Sequence, residues 1–185
     1  MSNANLTHIT PSAAFRHCPQ CGAASLSAHD GRATRCADCG FTFYFNCAAA
    51  TAAIIFHQGK LLLGMRGKDP HKGMLDFPGG FVEFDETAEA ALTREVLEEL
   101  NIKVTTQAYF TSVPNNYWYA GVLYKTTDLY FICEIDDFST LKAMDDVVGV
   151  CWADPDEIDP QQLAFTSGRV ALRRLREHLS LTRPT

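Results

Sequence analysis

The chain lacks any long hydrophobic run and has little positive charge. No apolar stretch approaches the roughly 18 residues that a membrane-spanning helix needs, and residues 1–15 are small and polar rather than an apolar signal segment. Lys and Arg number 16 against 22 Asp and Glu, which gives a net charge of -6. This balance disfavours non-specific adhesion to nucleic acid or anionic membranes. We therefore expect a cytoplasmic protein without a membrane partner, and a nucleic-acid partner is not expected.

Repeats and low-complexity tracts are also absent, and the composition is that of an ordinary globular protein. Apolar residues make up 46% and charged residues 21% of the 185 residues, which is enough apolar surface for a core. The length allows one domain and a small module. Because the hydrophobic periodicity begins only near Thr51, we predict a flexible tail at 1–15, a cysteine-rich module at 16–46 and the main domain at 47–185.

Seven cysteines, an odd number, argue against a secreted disulfide scaffold and suggest metal ligands. Two CxxC pairs, each followed by glycine, are separated by 14 residues. Four thiolates would complete a closed tetrahedral shell, which is typical of structural zinc; two disulfides are the alternative, but they need an oxidising compartment. The predicted zinc ligands are Cys18, Cys21, Cys36 and Cys39. The remaining thiols, expected to be small core residues, are Cys47, Cys133 and Cys151.

Alternating apolar runs and helical periodicity predict strands mixed with two helices. The runs at 51–57 and 60–66 are separated by Gln58 and Gly59, which indicates a β-hairpin. Asp85 is expected to cap the first helix. Helices are predicted at 86–100 and near 168–179, and further strands near 103–113, 127–135 and 146–152. We therefore predict the α/β class, with a sandwich around a mixed sheet.

The first helix carries three glutamates on one face. Glu95, Glu98 and Glu99 fall at positions i, i+3 and i+4. Their mutual repulsion would be relieved by a hard divalent cation such as Mg²⁺ or Mn²⁺, which binds oxygen ligands. Glu86 and Arg94 lie eight residues apart, about two helical turns, so Glu86 could hold Arg94, which would orient a catalytic carboxylate. The alternative is an ordinary solvated acidic face.

The segment at 80–102 resembles the signature of the Nudix hydrolase family, G-x5-E-x7-R-E-U-x-E-E-x-G-U, where U is aliphatic. Eight of its nine constrained positions match. The exception is Asn101, which stands where the second glycine ends the helix, and asparagine is the residue best able to replace glycine in a left-handed cap. The matching positions are Gly80, Glu86, Arg94, Glu95, Val96, Glu98, Glu99 and Ile102.

The resemblance implies an α/β/α sandwich that hydrolyses a nucleoside diphosphate linked to another moiety, using Mg²⁺ or Mn²⁺ and an activated water. It implies that Glu95 and Glu99 are metal ligands and that Glu98 is a ligand or the water-positioning base. It also implies that the carbonyl of Gly79 binds metal. A later acidic ligand would fall at Asp146, with Asp145 beside it; a structural turn is the alternative role for this pair.

A four-cysteine ribbon ahead of the box is similar to the branch that includes zinc-ribbon NADH pyrophosphatases. The residues after the box depart from that branch, since only Ser112 and Pro114 agree with its NADH-specific array. NADH, ADP-ribose and similar nucleotides therefore all remain candidate substrates. Tyr117 and Trp118 are predicted to stack a base, or alternatively to pack in the core or at a dimer contact.

The late segment that contains Phe165 resembles a motif that closes the substrate cleft in that branch, so Phe165 is a further substrate-binding candidate, and His71 is a loop residue that could touch phosphate. Relatives are often dimers, and a homodimer is compatible with the aromatic 109–119 stretch. Two other functions stay open. One is a nucleotide sensor without activity, although such proteins usually lose box glutamates. The other is decapping of NAD-capped RNA, for which the few cations of the ribbon are unfavourable.

Overall fold

The computed structural model describes residues 11–182. Of the predicted tail, residues 1–10 lie outside this range. The helices are α1 (Pro11–Ala14), α2 (Ala88–Leu100) and α3 (Thr166–Thr182), with a short 3-10 helix at Pro160–Gln162. The strands are β1 (Leu26–His29), β2 (Ala33–Cys36), β3 (Thr42–Tyr44), β4 (Ala48–His57), β5 (Lys60–Arg66), β6 (Leu75–Asp76), β7 (Thr106–Tyr119), β8 (Val122–Glu134) and β9 (Val147–Ala153).

The chain divides into two compact units. The first contains the described residues up to Cys47 together with Asn116–Lys125, and the second contains Ala48–Asn115 and the described residues from Thr126 onward. In the first unit, β1, β2 and β3 form an antiparallel three-stranded sheet. No described helix is long and apolar enough to cross a membrane.

The larger sheet is mixed, as predicted. Its strand order is β6-β5-β4-β8-β7, and β9 pairs with β5. Strands β4 and β8 run parallel, while β5 is antiparallel to β4, β6 and β9. The predicted hairpin joins β4 to β5 through Gln58 and Gly59, whose φ angles of 50° and 77° are those of a tight primed turn.

Two hydrophobic cores lie on opposite faces of this sheet, because successive strand residues point to opposite sides. Ile54 of β4 belongs to the core that contains α3, and its neighbour Ile55 belongs to the core that contains α2. The helix residues on the two sides are Ala171, Leu172 and Leu175 of α3, and Leu92, Val96 and Leu100 of α2. The predicted α/β/α sandwich is therefore confirmed.

Three local predictions were wrong. Helix α2 starts at Ala88 rather than 86, because Thr87 is the N-cap and its side chain accepts a hydrogen bond from the backbone of Ala90 at 3.2 Å; Asp85 instead has a positive φ of 64°. Strand β7 continues through the aromatic segment to Tyr119, far beyond residue 113. Cys47 is exposed rather than buried, whereas Cys133 is buried and Cys151 half-buried.

Candidate active site and metal centre

Helix α2 ends at Leu100 and is capped by Asn101, which has the left-handed conformation expected for the replaced glycine (φ 53°, ψ 34°). Its backbone N–H donates to Leu97 O at 2.9 Å, and its side-chain amide donates to Thr140 O at 3.1 Å. Asparagine therefore closes the helix and also binds the loop that follows β8. The cap survives the departure from the signature, as predicted.

Arg94 joins the loop before α2 to two of the glutamates. Its Nε and Nη2 donate to the two carboxylate oxygens of Glu86, each at 3.0 Å. Its Nη1 donates to Glu95 Oε1 at 2.7 Å and to Glu98 Oε2 at 3.1 Å, and Nη2 also reaches Phe81 O. The ion pair lowers the pKa of Glu86. Charge-assisted bonds of this bidentate kind fix orientation as well as charge.

Gly79 and Gly80 bring the chain against both β4 and the glutamates. The carbonyls of Pro78 and Gly80 accept from Ala53 N at 2.7 Å and Thr51 N at 2.8 Å, and the carbonyl of Gly79 between them takes no part in this pairing with β4. A Cβ at Gly79 would lie 2.1 Å from Thr51 O, and a Cβ at Gly80 would lie 2.6 Å from the carboxylate of Glu95. Only glycine therefore allows this approach.

Burial and mutual repulsion raise the pKa of two of the glutamates. Glu99 is 9% exposed and accepts the N–H of Gly79 at 2.9 Å. Burial, with the negative charge of Glu95 added, raises the pKa of Glu99 to about 8. Burial also raises the pKa of Glu95, and the charges of Glu98 and Asp145 contribute. A divalent cation would stabilise the ionised forms of both, so this donor set fits a hard metal ion.

The loop before β9 presents two aspartates with different partners. Asp146 forms an ion pair with Lys68, whose Nζ lies 3.9 Å from Asp145. The charge of Asp145 contributes to the raised pKa of Glu95. Asp145 has a positive φ of 48°, which aspartate tolerates better than most residues. The role of Asp146 as a metal ligand stays a prediction.

The predicted substrate-binding aromatics belong to different units. Tyr117 and Trp118 are half-buried on β7 in the first unit, where Tyr117 stacks on Tyr119 with ring centroids 6.2 Å apart. Phe165 belongs to the second unit, immediately before α3. The guanidinium of Arg66 lies 4.8 Å from the centroid of its ring.

Arg66 and Asp76 were not singled out in the sequence. Arg66 Nη1 donates to Asp76 Oδ2 at 3.1 Å. Burial raises the pKa of Asp76 to about 7 against the effect of Arg66, and both charges act on Glu99. The sequence carried no specific signal for this pair, since Arg66 is the last residue of β5 and Asp76 the last residue of the two-residue strand β6.

The first unit brings the four predicted cysteine ligands together. Their Sγ atoms all lie within 4.8 Å of one another, and the cross-pair distances Cys18–Cys39 and Cys21–Cys36 are both 3.7 Å. Tetrahedral zinc with Zn–S bonds of about 2.3 Å requires sulfurs about 3.8 Å apart. The glycines after the two pairs have φ angles of 78° and 75°, as the predicted tight turns require. The four cysteines can therefore hold a metal ion.

One of these thiols is poised to ionise. The Ser25 hydroxyl lies 3.2 Å from Cys36 Sγ. Hydrogen bonds from this hydroxyl and from the backbone of Cys39 lower the pKa of Cys36 to about 6. The thiolate is the form that binds metal.

Comparison with known proteins matches most of the chain after the four-cysteine segment. A family model described as the NUDIX domain matches residues 47–175. The NAD-capped RNA hydrolase NudC of Vibrio cholerae is 37% identical over 100 residues, which cover 54% of this chain and 37% of that protein. The ADP-ribose pyrophosphatase of Methanocaldococcus jannaschii is 42% identical over 62 residues, which cover 34% of this chain and 37% of that protein. These matches thus span less than half the length of the curated relatives.

The fold has a solved counterpart that covers most of the chain. The crystal structure of a NUDIX hydrolase from Nitrosomonas europaea aligns with a TM-score of 0.70 over 92% of this chain and 96% of its own, at 24% identity. At this identity the likeness concerns the fold.

Proposed function

The chain belongs to the NUDIX domain family, and from this premise we propose that it hydrolyses the pyrophosphate bond of a nucleoside diphosphate linked to another moiety. One observation carries the proposal: Glu95, Glu98 and Glu99 are all retained on one face of α2, and two of them are held by Arg94. A sensor that only binds nucleotide has no need for this complete carboxylate set. Hydrolysis is therefore favoured over sensing.

We assign Glu95, Glu99 and the carbonyl of Gly79 as ligands of catalytic Mg²⁺ or Mn²⁺, with an acid of the loop before β9, Asp145 or Asp146, completing the set. When bound, such cations neutralise charge on the diphosphate and lower the pKa of a coordinated water. Gly79 also orients Glu99 through its N–H.

Glu98 is the candidate base. Its side chain is 52% exposed, which leaves it open to water, and Arg94 holds one of its oxygens. It accepts the proton of the attacking water, whose oxygen bonds to phosphorus as the bridging P–O bond breaks. Glu86 acts through Arg94 by fixing the guanidinium that orients both Glu95 and Glu98.

We assign zinc to the four-cysteine site, because four thiolates at this spacing leave no open position for catalysis. The ion has a structural role: it stabilises a unit with little core of its own.

A homodimer is a further prediction, since Tyr109 and Tyr119 of β7 are 59% and 54% exposed. Light scattering during size-exclusion chromatography tests for the homodimer.

The names of the relatives reduce the range of candidate substrates. One is named for NAD-capped RNA and the other for ADP-ribose, and both substrates contain an ADP unit joined to a ribose. We propose a small nucleotide of this class, NADH or ADP-ribose, as the substrate. Tyr117 and Trp118 are the candidates for stacking its base.

A substrate panel tests the proposal. NADH, ADP-ribose, dinucleoside polyphosphates, nucleotide sugars, nucleoside triphosphates and NAD-capped RNA are incubated with Mg²⁺ or Mn²⁺, and released monophosphates are measured. We expect AMP from NADH or ADP-ribose, and loss of this activity in Glu98→Gln. Tight binding of one nucleotide without any cleavage would favour the sensor instead.

A further inference from the structure

A second group of side chains lies around Phe165, and none of its members is among the residues assigned above to metal binding or proton transfer. Arg66 lies over the Phe165 ring at 4.8 Å, and the imidazole of His71 stands perpendicular to that ring with centroids 5.3 Å apart. Arg169 lies one helical turn after Phe165, and its backbone N–H donates to Phe165 O at 3.2 Å. Partial burial, with the charges of Arg66 and Arg169 added, lowers the pKa of His71. The side chains of Arg66 and His71 thus converge on one aromatic ring, and Arg169 follows that ring residue on α3.

Backbone contacts hold this group in place. Arg66 Nε donates to Pro70 O at 2.9 Å, which ties it to the loop that carries His71. Arg169 donates twice to Leu163 O, at 3.2 and 3.0 Å, which ties it to the segment that carries Phe165. The loop and the segment are therefore fixed independently of any ligand, as a preformed binding site requires.

The group adjoins the carboxylates of α2. The charge of Arg66 acts on the pKa of Glu99, lowering it. Contacts join the two sites as well: Arg66 donates to Asp76 at 3.1 Å, and three residues later the N–H of Gly79 donates to Glu99 at 2.9 Å. The neighbouring acids are Asp76, which is paired with Arg66, and Asp69, which is exposed and acts on His71.

The chemistry of the group favours a phosphate over a base. A base needs a free aromatic face for stacking, and one face of Phe165 is covered by the guanidinium of Arg66. Guanidinium and imidazole N–H groups are the donors that bind phosphate oxygens. We propose that Arg66, His71 and Arg169 form a subsite for the sugar 5-phosphate half of the substrate, the product that leaves together with AMP. This assignment rests on the proposed hydrolysis.

The experiment compares two variants of one loop in the full chain. His71 has a positive φ of 65°, so His71→Asn removes the imidazole while keeping a residue that tolerates this conformation. Lys72→Asn is the matched control, since Lys72 is the exposed neighbour. Binding of ribose 5-phosphate, inorganic phosphate and AMP is measured by calorimetry with Mg²⁺, and KM and kcat are measured for ADP-ribose.

We expect His71→Asn to weaken ribose 5-phosphate binding and to raise KM about tenfold, with kcat changed less than about twofold; AMP binding and Lys72→Asn should match wild type. Equal binding of inorganic phosphate and ribose 5-phosphate by the wild type would overturn the sugar phosphate assignment. Unchanged binding and KM in His71→Asn would overturn the subsite alone. If no substrate is cleaved but His71-dependent binding of ribose 5-phosphate persists, the proposed function fails and the subsite stands.

Discussion

Glu86 accepts hydrogen bonds from Arg94 on both carboxylate oxygens, each at 3.0 Å, although the two residues are eight positions apart and Glu86 precedes the helix. The same guanidinium then donates to Glu95 and Glu98. Because Glu86 fixes the guanidinium of Arg94, it also fixes the orientation of two carboxylates of the candidate site.

The first prediction follows from these hydrogen bonds of Arg94. Glu86→Gln keeps the size of the side chain but removes the charge that fixes the guanidinium, so Glu95 and Glu98 lose their orientation. We expect kcat on the best substrate to fall about 10- to 100-fold, with KM changed little. Glu89→Gln, an exposed acid in the first turn of the same helix, is the control. Equal losses in both variants would mean that Glu86 has no special role.

The second prediction concerns the glutamates themselves. Glu98→Gln and Glu99→Gln should each lower turnover by about 10²–10⁴-fold, because one removes the candidate base and the other a metal ligand. Unfolding midpoints measured by circular dichroism should stay close to wild type for Glu98→Gln, which is half exposed. Near-normal turnover in both variants would reject their assigned roles.

Local spacing explains why the sequence predicted much of this site. The helix period placed Glu95, Glu98 and Glu99 on one face, and the chemistry of asparagine predicted the left-handed cap at Asn101. The CxxC spacing likewise brought the four cysteines together, because each pair is joined by a short turn.

Contacts between distant segments were not predictable in this way. Phe165 contacts Arg66 only because the segment before α3 passes next to the end of β5, and no pattern in either segment specifies the other. The N-cap was missed for a different reason: Asp85 and Thr87 are both good caps, and the left-handed backbone at Asp85 decided between them.

The third prediction is that alanine substitutions at two neighbouring glycines have different effects on activity and stability. In Gly80→Ala the new methyl meets the end of the Glu95 side chain, which can move, so activity should fall at least about tenfold while stability falls by less than about 1 kcal/mol. In Gly79→Ala the methyl meets the backbone of Thr51 at 2.1 Å, and φ is 144°, so stability should fall by more than about 2 kcal/mol. Urea unfolding and initial rates check both, and equal behaviour of the two variants would contradict this geometry.

The fourth prediction concerns the four cysteines. Elemental analysis of the purified protein should find about one zinc per chain, and Cys36→Ser should lower that content because one thiolate is lost. Removal of the ion by a chelator should unfold β1–β3, seen as rapid proteolysis between 16 and 46, since metal binding and folding are coupled there. Cys133→Ser, at a buried thiol outside the cluster, should retain the zinc. Purified protein without zinc would contradict the assignment of zinc to the four cysteines.

The fifth prediction follows from the raised pKa of Asp76. Burial raises this pKa from 3.8 to about 7 in the folded protein, so the folded state holds a proton that the unfolded chain has already released. The contribution of Asp76 to stability is therefore most favourable below pH 4 and falls as the pH rises to about 7, above which it is constant. Asp76→Asn cannot ionise, so the free energy of unfolding of the variant minus that of wild type should rise between pH 4 and 7, by at most about 4 kcal/mol.

Urea unfolding of both proteins at several pH values, without added divalent cations, gives this difference directly. The effect of Arg66 on ionised Asp76 is already contained in the folded-state pKa of about 7, so loss of this ion pair in the variant shifts the difference by a constant amount and leaves its rise between pH 4 and 7 unchanged. Asp136→Asn, at an exposed acid, controls for the removal of one negative charge and should show a much smaller change. A difference that stays flat or falls between pH 4 and 7 would show that Arg66 stabilises ionised Asp76 more strongly than burial opposes it.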